Sequence, residues 1–197
     1  MKKPILLPIV TILVVAIVLL AASFGLNGIA AQKAQADHIW LMQTLLPDSK
    51  EFTLEPYSGE DANILSVHRG ETGYVIETQT YGYAGNITML VAVSTEGKVV
   101  GLVVRDQSET VGLGARSLYD HEFLAQFLNG SGTFAIGAPG ADAFSGATGE
   151  ASTGEETYVD AITGATVTSK AIARCVNSAI AYVTGADVSS GATSWGG

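Results

Sequence analysis

The stretch that decides the fold is Ile87–Arg105, ITMLVAVSTEGKVVGLVVR. Its two halves, Ile87–Ser94 and Lys98–Arg105, are almost continuously apolar and rich in β-branched residues. Thr95-Glu96-Gly97 between them has the length and the glycine of a tight turn, so the pattern predicts a β-hairpin. Because neither half alternates strictly between polar and apolar residues, we expect the hairpin to be central in its sheet and covered on at least one face.

Further elements are predicted on both sides of the hairpin. Upstream, Tyr74–Tyr83 alternates in part and is typical of a strand. Downstream, Asp120–Leu128 predicts a short helix capped by Asp120, and Val167–Val183 predicts a longer amphipathic helix that Gly185 ends. Together they predict an α+β fold with a mainly antiparallel sheet and packed helices.

The N-terminal segment is strongly apolar. Ile5–Ala22 contains no charge, and its apolar character continues to Ala31, which exceeds the roughly 20 residues that a membrane crossing needs. Only two lysines precede it, which predicts a cytoplasmic N-terminus and an extracytoplasmic remainder in a single-pass cell-membrane protein. A cleavable signal peptide with a site at Ala34–Ala36 is the alternative, but the run is longer than a typical apolar signal region of about 7–15 residues.

These signals divide the chain into four parts. We predict a transmembrane anchor at 1–31, a stalk helix or linker at 32–50, a single domain at 51–185 and a C-terminal tail at 186–197. Within the domain, residues 129–156 are rich in Gly, Ala, Ser and Thr and predict a long flexible loop.

Charge and cysteine content exclude several functions. All 19 acidic residues lie at or after Asp37, whereas only 7 of the 10 basic residues do, which argues against binding nucleic acid. The single cysteine, Cys175, falls on the apolar stripe of the predicted long helix and is interpreted as a core residue. No Cys/His spacing suggests a metal, and no acid/base or nucleophile arrangement suggests a catalytic residue.

The pattern D-x-x-[ST]-G-A-T occurs three times, at Asp142–Thr148, Asp160–Thr166 and Asp187–Thr193. Only the middle copy opens a predicted helix, whose free backbone N–H groups and positive dipole end can hold a phosphate. A simpler alternative is that Thr166 or Thr168 merely caps this helix. The outer copies are interpreted as chance repeats in sequence rich in small residues.

The segment Gly73–Val183 resembles the FMN-binding domain that the G subunit of Rnf complexes shares with the C subunit of the sodium-pumping NADH:quinone reductase. In that family a separate flavin transferase takes the FMN portion of FAD and joins it, through a phosphoester bond, to the last threonine of the repeated pattern. The resemblance implies that Thr166 carries FMN. Because only the middle copy opens a predicted helix, we expect one FMN per chain. The resemblance also implies that the transferase recognises the preceding motif residues, which are Asp160, Thr163, Gly164 and Ala165.

The stretch Glu109–Gly114, ETVGLG, resembles the family's ETPGLG loop, which lies beside the flavin ring. The resemblance therefore implies cofactor contacts from Glu109, Thr110, Gly112, Leu113 and Gly114. Val111 departs from the family's proline. Taken as a nucleotide-binding fingerprint, the loop lacks the third glycine.

The resemblance also implies a function. An Rnf complex passes electrons between ferredoxin and NAD while it moves ions across the membrane. This chain would be a flavin relay on the outer side, assembled with the other membrane subunits. The alternatives are the FMN-carrying component of a sodium-pumping NADH:quinone reductase, a lone FMN-binding electron-transfer protein, and an anchored assembly module without a cofactor.

Overall fold

The computed structural model describes residues 6–112, 114–137 and 156–186, and the chain forms two compact units, Met1–Leu41 and Met42–Gly197. The helices and strands follow in chain order: α1 (Leu6–Leu45), β1 (Thr53–Glu55), β2 (Ile64–Arg69), β3 (Gly73–Tyr81), β4 (Asn86–Ser94), β5 (Val99–Gln107), α2 (Gly114–Ser117), α3 (His121–Ala125), β6 (Thr133–Ile136), β7 (Glu156–Val159) and α4 (Thr166–Thr184).

Within the first unit the structure describes helix α1 from Leu6 to Leu41, and the predicted stalk at 32–50 is helical as far as Leu45. In the part of the chain that the structure describes, no helix combines the length and the apolarity that a membrane crossing requires. The predicted anchor is therefore not confirmed and stays a prediction.

The second unit is built on an antiparallel sheet of five strands in the order β1-β2-β3-β4-β5. Its β4–β5 hairpin confirms the prediction from the opening stretch: Ser94 N–H donates to Lys98 O at 2.8 Å and Gly97 N–H to Ser94 O at 2.9 Å. Gly97 has φ of +80°, which a glycine adopts without strain. One expectation was wrong: in the described part of the chain β5 is an edge strand of this sheet, and of the two hairpin strands β4 alone has a neighbour on both sides. After β5 the chain continues into α2 rather than into another strand of this sheet.

Helix α4 packs on one face of the sheet, against β3 and β4. Its apolar stripe is buried, and Cys175 is a core residue as predicted. The facing residues alternate along the two strands, as the two-residue period of a strand requires: Ile76, Thr78 and Thr80 on β3, and Ile87, Met89, Val91 and Val93 on β4. Gly185 ends α4 in the left-handed conformation, also as predicted.

The end of α1 belongs to the second unit. Met42 and Leu46 are each 3% exposed, and Leu45 contacts Gly101 of β5 closely enough that a Cβ there would meet its carbonyl oxygen at 2.9 Å. Ser49 Oγ accepts from Thr72 N–H at 3.1 Å. The compact unit therefore begins at Met42, upstream of the predicted domain start at residue 51.

The predicted flexible loop at 129–156 was wrong in part. Thr133–Ile136 forms β6, which pairs in parallel with β7. Phe134 and Ile136 alternate with less buried neighbours and point into the core, and this two-residue period was the signal that the small-residue composition obscured. Asn177 of α4 holds the strand: its side chain accepts from Phe134 N–H at 2.9 Å and donates to Phe134 O at 3.0 Å.

Helix α3 confirms its predicted cap but is shorter than predicted. Asp120 Oδ1 accepts from Glu122 N–H at 3.1 Å and Phe123 N–H at 3.2 Å. The helix ends at Ala125, and turns lead to Asn129, whose φ is +61°. Strands β1 and β2 were not predicted.

Candidate functional site

Thr166 is the first residue of α4 and is exposed. The four residues before it form a tight turn closed by a bond from Ala165 N–H to Ile162 O at 2.9 Å. Gly164 has φ of +81° at the third position, as a type II turn requires. Ser169 Oγ also accepts from Ile162 N–H at 3.4 Å. The turn thus fixes the direction in which the chain enters α4.

The N-terminus of α4 has no side-chain cap. Ala165 occupies the N-cap position, and the first helical bond runs from Ser169 N–H to Ala165 O at 2.8 Å. The N–H groups of Thr166, Val167 and Thr168 therefore have no acceptor within the helix. The alternative that Thr166 or Thr168 caps the helix was wrong.

This N-terminus fits an anion. Free N–H groups and the positive end of the helix dipole stabilise negative charge, and the first turn of α4 contains no acidic residue. Thr166 is exposed at this end of the helix, so its side chain is accessible beside those N–H groups. The arrangement therefore suits a phosphate ester on Thr166.

The other residues of the middle motif differ in accessibility. Asp160, Thr163 and Gly164 are exposed, whereas Ala165 is 4% exposed. The backbone N–H of Asp160 donates to Gln126 Oε1 at 2.9 Å, which ties the motif to the turn after α3. The two outer motif copies, Asp142–Thr148 and Asp187–Thr193, lie outside the described residues.

Glu109 connects the ETVGLG loop to the first turn of α4. Its side chain is buried, with the residue 7% exposed, and Oε2 accepts from Thr168 Oγ1 at 3.1 Å. Oε1 accepts from Ala84 N–H, in the turn between β3 and β4, at 3.2 Å. The structure therefore brings the two predicted motifs together through Thr168, which is 1% exposed and was not among the predicted site residues.

Two glycines make room for this carboxylate. A Cβ at Gly114 would collide with the Glu109 carboxylate and the Thr168 hydroxyl, and a Cβ at Gly82 would collide with the same carboxylate. Gly114 was expected to let the backbone approach a cofactor, whereas here its lack of a side chain is needed for packing. Gly112 is a glycine for a different reason. A side chain there would meet no neighbouring atom, but its φ of +86° is a backbone conformation that favours glycine.

The outer part of the loop is accessible. Thr110 and Gly112 are exposed, and Val111 is 90% exposed. Thr110 O accepts from Ala115 N–H at 3.2 Å. Leu113 lies outside the described residues. The loop therefore turns Glu109 inward and Thr110, Val111 and Gly112 outward.

Exposed aromatic residues flank the same region and were missed by sequence reasoning. Tyr81 and Tyr83 are 64% and 70% exposed and border Gly82, which contacts Glu109. Arg174 of α4 donates to Tyr81 O at 2.9 Å. In the sequence these two residues appear only as an aromatic pair at the end of a predicted strand. Such a pair ordinarily indicates a half-buried face of a sheet, so it did not suggest an exposed site.

Comparisons with known proteins identify the family of the segment that contains this site. The model of the FMN-binding domain family matches residues 82–181, a segment that contains both the ETVGLG loop and the first turn of α4. The G subunit of the proton-translocating ferredoxin:NAD(+) oxidoreductase complex of Clostridium ljungdahlii is 30% identical over 175 residues, covering 89% of this chain and 87% of that protein.

Two further relatives carry similar names. The G subunit of the ion-translocating oxidoreductase complex of Methanosarcina acetivorans is 32% identical, covering 72% of this chain and 72% of that protein. The G subunit of the Na(+)-translocating ferredoxin:NAD(+) oxidoreductase complex of Acetobacterium woodii is 31% identical, covering 68% of this chain and 56% of that protein. The chain therefore belongs to the FMN-binding domain family, as a relative of the G subunits of ion-translocating oxidoreductase complexes.

Proposed function

We propose that this protein is the electron-transferring G subunit of an ion-translocating ferredoxin:NAD oxidoreductase, or Rnf, complex, and that it carries FMN on Thr166. The observation that supports the attachment site is the exposed residue Thr166 at the uncapped N-terminus of α4, inside the segment that matches the FMN-binding domain family. The relatives' names support the assignment to this complex.

The residues of the first turn of α4 would hold the phosphate of FMN. The N–H groups of Thr166, Val167 and Thr168 are available to an anion, and Gly164 presents no side chain in the preceding turn. Thr110 and Gly112, with Leu113 beside them in the sequence, belong to the loop that would lie next to the ring. When bound, FMN supplies the redox chemistry, and this chain positions it.

Attachment requires that a separate flavin transferase reach Thr166. Asp160, Thr163 and Gly164 are exposed beside it, so that an enzyme could read them in the folded domain. We propose one FMN per chain, bound through a phosphoester. The copy at Asp142–Thr148 is followed by small and acidic residues that predict no helix to hold the phosphate.

Residues 1–31 would anchor the chain in the cell membrane beside the other subunits of the complex. The support is the uncharged run Ile5–Ala22 and the lysines that precede it. In this arrangement the N-terminus is cytoplasmic and the FMN-binding domain lies outside. A reporter fused at residue 1 and one fused at residue 197 should therefore report opposite sides of the membrane.

Mass spectrometry of the intact chain and of its peptides tests the attachment. After coexpression with a flavin transferase, the wild-type chain should gain the mass of FMN less one water, localised to the peptide that contains Thr166. Thr166→Ala should abolish the gain, whereas Thr148→Ala and Thr193→Ala, which alter the same motif elsewhere, should keep it. FMN retained by Thr166→Ala, or lost from either control, would contradict the assignment.

Isolation of the native complex tests the partner assignment. Membranes solubilised under mild conditions should yield this chain together with the other components of a ferredoxin:NAD oxidoreductase. Recovery with components of an NADH:quinone reductase instead would overturn the proposal while leaving the flavin site intact.

A further inference from the structure

We propose that Glu109 and Thr168 form a latch that holds the ETVGLG loop against the first turn of α4, and that the latch determines the surroundings of the group carried on Thr166. Glu109 is thereby a positioning residue and makes no cofactor contact of its own through its carboxylate. The inference rests on the proposed function, because it concerns how the loop is placed beside FMN.

The Glu109 carboxylate is surrounded by the first turn of α4, the turn between β3 and β4, and two glycines. Its carboxylate accepts from the Thr168 hydroxyl at 3.1 Å and from Ala84 N–H at 3.2 Å, and Gly82 and Gly114 pack against it without side chains. Its own backbone N–H donates to Gln107 Oε1 at 2.6 Å. The side chain therefore fastens the start of the loop to both the β3–β4 turn and α4.

The rest of the loop has little other support. Thr110, Val111 and Gly112 are exposed, and within the described residues the backbone contact that closes the loop is the bond from Ala115 N–H to Thr110 O. Exposed backbone with few buried contacts opens locally at low free energy. Loss of the hydrogen bond between Glu109 and Thr168 should therefore let Thr110, Val111 and Gly112 move away from α4.

The charge of Glu109 matters as well as its hydrogen bonds. A buried carboxylate is costly unless it is hydrogen-bonded or paired, and none of the ion pairs among the described residues includes Glu109. The positive end of α4 supplies part of the compensation, because Thr168 lies in its first turn. A negative charge held beside the FMN site disfavours the addition of electrons there, so that it should lower the midpoint potential.

Three substitutions in the full-length chain separate geometry from charge. Thr168→Val removes the hydroxyl at constant shape, and Thr168→Ser keeps it. Glu109→Gln keeps an oxygen for Ala84 N–H and a polar group for Thr168 while it removes the charge. Each is made both in the flavinylated protein and in a Thr166→Ala background, where FMN cannot attach if the proposed function is right.

Hydrogen exchange of the Ala84 and Ala115 amides measures the latch without reference to FMN. Thr168→Val should raise their exchange rates about tenfold in both backgrounds, because a hydrogen bond to a charged group is lost. Thr168→Ser should leave these rates close to wild type. Glu109→Gln keeps both partners but not the charge, so its rates should fall between those of wild type and Thr168→Val. Unchanged exchange in Thr168→Val would overturn the latch.

Measurements on the FMN-loaded protein test whether the latch affects the surroundings of the cofactor. Thr168→Val should alter the visible circular dichroism of the flavin, and Thr168→Ser should restore it. Glu109→Gln should keep the dichroism and shift the midpoint potential upward. A potential that does not move in Glu109→Gln, or a dichroism that Thr168→Val leaves unaltered, would show that the latch has no effect on the cofactor's surroundings and would overturn the second half of the proposal.

The latch can still be tested if Thr168→Val does not fold or if the wild-type chain carries no FMN. If Thr168→Val does not fold, a comparison of Glu109→Ala with Glu109→Gln replaces it, since only the former removes both contacts. If the wild-type chain carries no FMN, the proposed function fails, whereas the exchange measurements in the Thr166→Ala background still decide whether the latch holds the loop.

Discussion

Thr168 Oγ1 donates to Glu109 Oε2 at 3.1 Å, and the two residues are 59 positions apart in the chain. One belongs to the helix that the middle motif opens, and the other begins the ETVGLG loop. Both residues are buried, at 1% and 7% exposure, so solvent does not compete for the bond. This contact turns two separate sequence motifs into one site.

We expect Gly114→Ala to destabilise the domain by about 1–3 kcal/mol, the usual cost of overpacking. The new methyl group would collide with the Glu109 carboxylate and the Thr168 hydroxyl, which cannot both move away without breaking their bond. Urea unfolding measures the change. Thr110→Ala, at an exposed position of the same loop, is the control and should stay within about 0.5 kcal/mol of wild type.

We expect Asn177→Ala to cost about 2 kcal/mol, because it leaves the N–H and C=O of Phe134 without their partner. Loss of the clamp should also speed hydrogen exchange in β6. Asn177→Asp, which keeps an acceptor for Phe134 N–H but no donor for its carbonyl, should fall between wild type and alanine. Equal stability of all three proteins would show that the clamp does not hold β6.

We expect the Cys175 thiol to resist alkylation in the folded protein. Burial raises its pKa, and the hydrogen bond between Cys175 Sγ and Thr80 Oγ1, at 3.3 Å, opposes the shift only in part. Because the folded pKa lies above the unfolded one, its stabilising contribution is complete below the unfolded pKa of about 8.5 and is lost as pH rises above it.

Iodoacetamide labelling of native and urea-unfolded protein between about pH 7 and 9 measures this protection. The unfolded chain should react faster as pH approaches the ordinary thiol pKa, whereas the native chain should stay largely unlabelled. Rapid labelling of the native protein at pH 8 would contradict the buried position of Cys175.

We expect a chain that begins at Met42 to fold and one that begins at residue 51 to be weakened. The shorter chain lacks Met42 and Leu46, each 3% exposed, and the hydrogen bond from Thr72 N–H to Ser49 Oγ. Burial of two such side chains contributes about 3–6 kcal/mol. Urea unfolding of the two truncated proteins compares them, and Met42→Ala with Leu46→Ala in the longer one should reproduce most of the loss.

Local patterns in the sequence determined the β4–β5 hairpin, the cap at Asp120, and helix α4 with its stop at Gly185. Each of these elements depends on residues that are close together in the sequence. The hydrophobic period and the residues that begin or end an element, a capping aspartate or a glycine, are therefore enough to predict it. The resemblance to the FMN-binding family was carried by the same short stretches. The composition of 129–156 predicted a loop where Thr133–Ile136 forms a strand, because the brief alternation of Phe134 and Ile136 is a weak signal among small residues.

Tertiary structure alone decided what Glu109 and Thr168 do. In sequence, a glutamate at the start of a loop predicts a solvated or ligand-facing side chain, and a threonine near a helix start predicts a cap. Their pairing depends on the β3–β4 turn, the glycines at 82 and 114, and the docking of α4 on the sheet, which bring residues 59 positions apart within hydrogen-bonding distance. No local period encodes a contact of that kind, since it exists only after the sheet and the helix have packed.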